Sequence, residues 1–255
     1  MNKTKFWNFT KRDEKTGELT LYGEISDVSW YGDEVTPVTF REDLKALGTM
    51  NRLNVYVNSP GGDVFAGFTI YNIIRRCAEE IVAHVDGMAA SAASVICMAA
   101  DKIVMPKNAT MMIHEALAGK QYGNKHQFRK IADELDRIDG QIADIYAARC
   151  GIDKKTAADM MEAETWMSGE EAYAAGFCDE VDDLKAVACA GIEKYENLYH
   201  HMPKAVKQEP QAPAEPKQTA ANGGTNQPVT DIDDNALNEQ RRQLWNLRKK
   251  INGGE

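Results

Sequence analysis

One stretch constrains the fold of this chain more than any other: an alanine-rich block that joins a strand pattern to a helix pattern. Residues 80–86 are typical of a buried strand, Gly87 to Ala90 predict a turn, and residues 91–100 predict a helix. At a helix start the backbone N–H groups are unpaired and the helix dipole favours negative charge. Ser91, at that position, is therefore a candidate nucleophile. The block is equally typical of a tightly packed small-residue helix in which this serine has no chemical role.

Strand and helix patterns alternate along the chain on both sides of this block. Strands are expected at residues 18–25, 53–58, 80–86, 102–105, 110–115 and 177–181, and helices at residues 39–47, 64–76, 91–100, 124–149, 153–161 and from Ser168 onward. Such close alternation predicts an α/β fold of βαβ units with right-handed crossovers. The expected helix at 124–149 carries more apolar positions than one small domain readily buries, which predicts a contact between subunits.

Composition divides the chain into four parts. Residues 1–17 form a polar N-terminal segment, and residues 18–202 carry the strand and helix patterns of one domain. Five of the eight prolines lie from Pro203 onward, interleaved with Gln, Ala, Asn and Gly, so residues 203–230 are expected to be a disordered linker. Residues 231–255 are expected to contain a short amphipathic helix.

Charge, hydropathy and cysteine content exclude several classes of protein. A net charge of −9 argues against a binder of nucleic-acid phosphates. No apolar run reaches the roughly 18 residues of a membrane span, and the N-terminus lacks the pattern of a signal peptide. Five cysteines, an odd number without a CxxC pair, argue against a disulfide framework or a zinc site. We therefore expect a cytoplasmic protein with no metal and no cofactor, and with neither nucleic acid nor membrane as a partner.

Three separate patterns supply the groups that acyl transfer by a serine requires. Such catalysis needs a nucleophile, a base that takes its proton and N–H donors for the oxyanion. Ser91 follows the alanine-rich block, His114 ends an expected strand, and Gly61 and Gly62 can bring backbone N–H groups close to a substrate carbonyl. Each pattern alone has a structural alternative: helix packing for the serine, a core position for the histidine and an ordinary turn for the glycines.

Taken together, these patterns resemble one family. Residues 58–62 (Asn-Ser-Pro-Gly-Gly), 87–91 (Gly-Met-Ala-Ala-Ser) and 112–114 (Met-Ile-His) are similar, in order and spacing, to the Clp protease proteolytic subunit, ClpP. Blocks within residues 166–179 resemble the C-terminal helix and strand of that family. The resemblance covers about residues 18–185 and implies a ClpP/crotonase-like fold of repeated ββα units with a long handle helix.

The resemblance also assigns roles to individual residues. It implies that Ser91 is the nucleophile, that His114 is the general base, and that the N–H groups of Gly62 and Ala92 form the oxyanion hole. Three further residues with hydroxyl or imidazole groups fall outside the motifs and are expected in packing, strand or exposed positions: Ser94, His84 and His126.

The acid that orients the base is where this chain departs from the family. Glu164 stands at the position where the family usually has an aspartate. Glutamate can also orient a histidine, but its longer side chain requires a slightly displaced backbone. Glu162 and Asp159 are rival candidates for the same role. The structural alternative for Glu164 is a solvated charge at a helix end.

The family implies a serine endopeptidase that hydrolyses peptide bonds through an acyl-enzyme. Extended protein or peptide substrate is expected to add as a strand beside Gly61 and the segment that begins at Glu115. A ring-forming homo-oligomer with a Clp-type ATPase as partner is implied, and this chain has no GxxxxGK[ST] loop of its own. The proline-rich linker and terminal helix resemble phage and prophage relatives, which implies trimming of capsid or scaffold proteins during head assembly.

Two other functions are compatible with the same fold. A crotonase-like acyl-CoA hydratase or isomerase would share the glycine turns, but it would use carboxylate bases and has no need of Ser91 or His114. A catalytically silent, ring-forming assembly protein would keep the fold alone, and Glu164 in the acid position is consistent with it. Turnover of an acyl-CoA would favour the first, and absence of fluorophosphonate labelling on folded protein would favour the second.

Overall fold

The fold is that of a computed structural model, which describes residues 5–26, 37–119, 122–184 and 199–203. These residues all lie within one compact unit. The expected linker beyond residue 203 and the expected terminal helix lie outside the described residues. No helix in the described part of the chain is both long enough and apolar enough to span a membrane.

Strands and helices alternate in the described residues, which confirms the predicted α/β class. The elements, in chain order, are β1 (Trp7–Lys11), β2 (Thr16–Tyr22), α1 (Pro37–Ala46), β3 (Arg52–Ser59), α2 (Val64–Ile74), β4 (Glu80–Ala90), α3 (Ala92–Cys97), β5 (Lys102–Pro106), β6 (Thr110–Ile113), α4 (Lys125–Cys150), α5 (Lys154–Glu162), β7 (Thr165–Ser168), α6 (Gly169–Ala175) and β8 (Glu180–Asp182). Ser168 and Glu171 form a capping box at the start of α6.

The strands form one sheet in the order β1-β2-β3-β4-β5-β8, with β6 and β7 branching from it. Strands β2, β3, β4, β5 and β8 are parallel, and β1 adds to the edge antiparallel to β2. The long strand β4 pairs with β5 along its first half and with β6 along its last three residues. Strand β7 then pairs antiparallel with β6. This branching brings the carboxyl ends of β3, β4 and β6 to one place.

The long helix α4 is buried only in its C-terminal half. Its buried residues are Ile142, Ala143, Tyr146 and Cys150. Nearer the N-terminus Phe128 is 48% exposed. The N-terminal half of α4 therefore keeps a partly exposed apolar face, on which Phe128 is exposed and Ile131 and Leu135 are partly buried. Contact of this face with a second subunit stays a prediction.

The structure differs from the sequence predictions at several places. The expected turn at 87–90 is wrong, because these residues continue β4 and residues 88–90 pair with β6, and the chain turns at Ser91 instead. Helix α3 ends at Cys97 because the next residues form tighter turns, as in the bond from Ala99 N–H to the Ile96 carbonyl. Strand β1 lies inside the segment assigned to residues 1–17, and its Trp7 is buried in the core.

Candidate active site

Ser91 occupies the sharp turn between β4 and α3. Its backbone has φ 53° and ψ −125°, a region that a residue with a side chain rarely adopts. The Ser91 N–H donates to the carbonyl of Met112 at 2.9 Å, which ties the turn to β6. The hydroxyl makes no capping bond to helix α3. The turn therefore leaves Oγ free to face another group.

His114 follows the last residue of β6 and faces that hydroxyl. Its Nε2 lies 2.8 Å from Ser91 Oγ. The parallel pairing of Ala90 with Met112 sets this approach, because it aligns the end of β4 with the end of β6. Burial lowers the pKa of His114 below its ordinary 6.5, and the negative charge of Glu164 opposes this in part. The imidazole is consequently neutral at pH 7 and can accept the serine proton.

Gly61 and Gly62 form the turn after β3 that packs against Ser91. A Cβ on Gly61 would lie 2.7 Å from the Ser91 Cβ, so no larger residue fits against the serine. Gly62 has φ 144°, and a Cβ there would lie 1.9 Å from the Ile25 carbonyl oxygen. The Ile25 N–H donates to the Gly61 carbonyl at 2.8 Å and holds the turn in place. Only glycine can occupy both positions.

One cavity of about 510 Å³ connects these groups. Ser91, His114, Gly62 and Ala92 all line it. Among the described residues, neither the Gly62 N–H nor the Ala92 N–H donates a hydrogen bond. Side chains from α4, including that of Ile142, form an apolar wall. Gly62 and Ala92, whose N–H groups donate no hydrogen bond in the described residues, therefore line the same cavity as the serine and the histidine.

Glu164 lies across from His114 because of the register between β6 and β7. Ile113 pairs with Thr165 in this antiparallel ladder, so the next residues along, His114 and Glu164, stand opposite each other. Glu164 has φ 47° and is 8% exposed. The alternative of a solvated helix-end charge is therefore wrong. Its rivals Glu162 and Asp159 lie exposed on α5.

The carboxylate of Glu164 is hydrogen-bonded to groups other than the imidazole. The backbone N–H groups of His200 and His201 each donate to it at 2.7 Å, and the Trp166 indole N–H donates at 3.0 Å. Burial alone would raise the pKa of Glu164, but these three bonds together lower it. In the part of the chain that the structure describes, no hydrogen bond joins Glu164 to His114. Its role as the orienting acid stays a prediction.

Tyr199 is a site residue that the sequence patterns do not reveal. Its ring lies edge-on to the His114 imidazole, with the centroids 5.3 Å apart, and it contacts the Trp166 ring at 5.6 Å. Its hydroxyl donates to the carbonyl of Pro60 at 2.8 Å. The sequence indicates this role only weakly, through the apolar residues Tyr199 and Met202 at the end of the expected domain.

The other predicted residues lie at varied distances from this centre. Glu115 directly follows His114 and is exposed, and the pKa of its carboxyl is raised by partial burial and by nearby acidic residues. Ser94 is buried, donates to the Ser91 carbonyl at 2.6 Å and lies 2.8 Å from the Tyr146 hydroxyl. A structural role explains both of its contacts.

Two further histidines from the sequence analysis, His84 and His126, lie away from the serine. His84 stacks on Tyr56, with the ring centroids 5.0 Å apart, and His126 is exposed in the first turn of α4. Within the described ranges, no group of three or more His, Cys, Asp or Glu side chains is placed to hold a metal ion.

Comparison with known proteins places this chain in a family. The family model for Clp protease matches residues 39–185. The chain is 34% identical over 134 residues to an ATP-dependent Clp protease proteolytic subunit of Deinococcus radiodurans, covering 51% of this chain and 65% of that relative. It is 30% identical over 171 residues to proteolytic subunit 2 of Treponema denticola, covering 65% and 82% respectively. It is also 31% identical over 156 residues to the Bacteroides fragilis subunit, covering 58% and 74%. The chain therefore belongs to the Clp protease family.

Proposed function

We propose that this protein is a serine endopeptidase that hydrolyses peptide bonds through an acyl-enzyme. One observation carries the proposal: Ser91 Oγ lies 2.8 Å from His114 Nε2 at the edge of a cavity that Gly62 and Ala92 also line. A nucleophile, a base and oxyanion donors in one cavity are the parts that acyl transfer requires. Membership of the Clp protease family supports the same reaction.

The first half of the reaction forms the acyl-enzyme. His114 Nε2 takes the Ser91 proton as Oγ attacks the peptide carbonyl carbon. The negative charge that develops on the carbonyl oxygen is stabilised by the N–H groups of Gly62 and Ala92. The imidazolium then gives its proton to the nitrogen of the scissile bond, the C–N bond breaks and the amine leaves. In the second half, water attacks the ester and His114 transfers its proton in the same way.

Glu164 supplies negative charge opposite the base. Its lowered pKa keeps the carboxylate ionised at neutral pH, and its charge favours the protonated imidazole that forms during the reaction. We propose this electrostatic role for Glu164 in place of the family's usual aspartate. The hydrogen bonds to the backbone of residues 200 and 201 hold the carboxylate in position.

The substrate is proposed to be an extended protein segment. It would lie as an added strand between the turn at Gly61 and the segment that begins at Glu115, which places a carbonyl above Ser91. The apolar wall from α4 would receive an apolar side chain. A ring of subunits, a Clp-type ATPase partner and a role in phage capsid or scaffold maturation complete the proposal, and the exposed apolar face of α4 supports the ring.

A fluorophosphonate probe tests the proposed nucleophile directly. We expect covalent labelling of the folded protein, mapped by peptide mass spectrometry to Ser91, because an activated serine attacks phosphorus as it attacks a carbonyl. A Ser94→Ala variant is the matched control and should still be labelled, since Ser94 donates to a backbone carbonyl and contacts Tyr146. Light scattering on the same sample reports assembly. Folded, assembled protein that takes no label would support the silent assembly protein, and acyl-CoA turnover without labelling would support the crotonase-like enzyme.

The pH dependence of hydrolysis should reflect the environment of His114. The neutral imidazole is the base, so kcat/KM falls as pH drops through the pKa of His114. Because burial lowers that pKa, we expect the acidic limb to have its midpoint below 6.5. Glu164→Gln removes the charge that raises this pKa and should move the midpoint to still lower pH. A midpoint above 6.5, or a shift upward in the variant, would contradict the assignment.

A further inference from the structure

We propose that Tyr199 is a positioning residue that holds the His114 imidazole against Ser91, and that Glu164 anchors the segment carrying it. The segment is defined as residues 199–202, and we name it the anchor segment. The proposal rests on the proposed function, because it assigns a role within that same serine-histidine site. Tyr199 and His114 are about 85 residues apart along the chain, and only the tertiary structure brings their side chains together.

The anchor segment is held to the site by its backbone as well as by its side chains. Glu164 accepts hydrogen bonds from two consecutive N–H groups of the segment, those of His200 and His201, at 2.7 Å each. Charged acceptors make stronger bonds than neutral ones, and Glu164 is 8% exposed. Tyr199 and Met202, on either side of these two residues, are 5% and 8% exposed. Burial of Tyr199 and Met202 thus fixes both ends of the segment, and the hydrogen bonds to the Glu164 carboxylate fix its middle.

The anchor segment covers the face of the branched sheet opposite the main core. Tyr199 and Met202 pack with Met88 and Ala90 of β4 and Met112 of β6. Successive side chains of a strand point to opposite faces of the sheet. The neighbours of these three residues, Ala89, Met111 and Ile113, accordingly lie in the main core on the other face. The segment therefore packs beneath the strand ends that carry Ser91 and His114.

Tyr199 links the base to the oxyanion turn. Its ring edge contacts the His114 ring, and its hydroxyl donates to the carbonyl of Pro60, one residue before Gly61. Among the described residues, the His114 imidazole has one hydrogen-bond partner, the Ser91 hydroxyl. A single hydrogen bond does not fix the rotation of the imidazole ring. The Tyr199 ring restricts that rotation from a second side. Glu164, whose oxygens are bonded elsewhere, does not do so by a hydrogen bond.

The seated segment leaves the reactive groups accessible. Ser91 Oγ and His114 Nε2 remain within 2.8 Å, and the cavity of about 510 Å³ beside them is open with Tyr199 in its wall. The backbone bonds that the segment donates go to Glu164, and its hydroxyl bond goes to Pro60, so neither engages the N–H groups of Gly62 and Ala92. Positioning, and not obstruction of the site, is the role that fits these contacts.

Substitutions at Tyr199 separate positioning from general stability. In full-length protein we expect Tyr199→Leu, which keeps apolar volume and loses the aromatic edge and the hydroxyl, to lower kcat for a peptide substrate by roughly 10²-fold with KM within about 3-fold. Tyr199→Phe keeps the ring and loses only the bond to Pro60, so kcat should fall no more than about 10-fold. The matched control is Tyr71→Leu, because Tyr71 lies on α2 and lines neither the cavity nor the anchor segment. Its kcat and KM should equal those of the unaltered protein.

The outcomes distinguish this proposal from failure of the proposed function. Fluorophosphonate should label Ser91 in the unaltered protein and, more slowly, in Tyr199→Leu; an unaltered protein that takes no label refutes the serine peptidase itself. If labelling occurs but kcat is unchanged in Tyr199→Leu, Tyr199 has no positioning role. A rise in kcat would instead identify the segment as inhibitory and would also overturn the proposal. If Tyr199→Leu does not fold, Tyr199→Phe decides: a fall in kcat of up to about 10-fold at unchanged KM supports the proposal, and a kcat equal to that of Tyr71→Leu overturns it.

Discussion

Replacing Ser91 by alanine is expected to lower kcat for peptide hydrolysis by roughly 10⁴-fold or more. The substitution removes the only atom of this residue that reaches His114, and alanine fits wherever serine fits. The bond lost is the 2.8 Å contact between Oγ and Nε2. Stopped assays of a fluorogenic peptide and of an unfolded protein measure the loss. Thermal unfolding and light scattering should give the same values for the variant and the unaltered protein.

The histidine provides the second arm of this experiment. His114→Ala should lower kcat by a similar factor, and the double variant should be no slower than either single one, because the two side chains act as one unit. Additive losses would show that the serine and the histidine act independently. Undiminished turnover by Ser91→Ala would exclude this serine as the nucleophile.

Gly62→Ala is expected to reduce both stability and activity. A Cβ at this position would lie 1.9 Å from the Ile25 carbonyl oxygen, and φ 144° is unfavourable for any residue with a side chain. Such backbone strain costs about 1–3 kcal/mol before the clash is counted. Displacement of the Gly62 N–H from the oxyanion should lower kcat by about 10²–10³-fold. Chemical denaturation and peptide hydrolysis measure the two effects separately.

A glycine elsewhere in the chain serves as the control for this substitution. Gly140 lies inside helix α4, where a Cβ would meet only the tip of Lys154 at 3.7 Å. Gly140→Ala should therefore raise stability by about 1 kcal/mol through helix propensity and leave kcat unchanged. Gly62→Ala with full activity would refute the role of this N–H in the oxyanion hole.

The sequence predicts well those site residues whose neighbours along the chain also form the site. Ser91 and the Gly61-Gly62 pair each end a strand, and parallel strands end at one edge of a sheet. His114 ends β6, which pairs with the last residues of β4. These placements depend on local patterns and on the order of blocks, and both can be read from a sequence. The ClpP-like fold was predictable for the same reason.

Other features depend on packing that local patterns do not report. Glycine and alanine, which have low strand propensity, fill three of the positions 87–90, yet pairing of residues 88–90 with β6 keeps this stretch in β4. Strand β7 has four residues between two helices and is too short to show an alternating pattern. The contact of Tyr199 with His114 depends on the path of the chain after β8, which no motif encodes.

The pairing of β6 with β7 makes the active site sensitive to the register of these two strands and tolerant of changes in the length of the chain that connects them. His114 and Glu164 face each other only because Ile113 pairs with Thr165, and a slip of one residue would turn Glu164 to the opposite face of the sheet. The chain between them forms α4 and α5, and lengthening such a connection costs little free energy of closure. Evolution can therefore remodel the helices that meet other subunits by insertion or deletion, while the charge beside the base keeps its place.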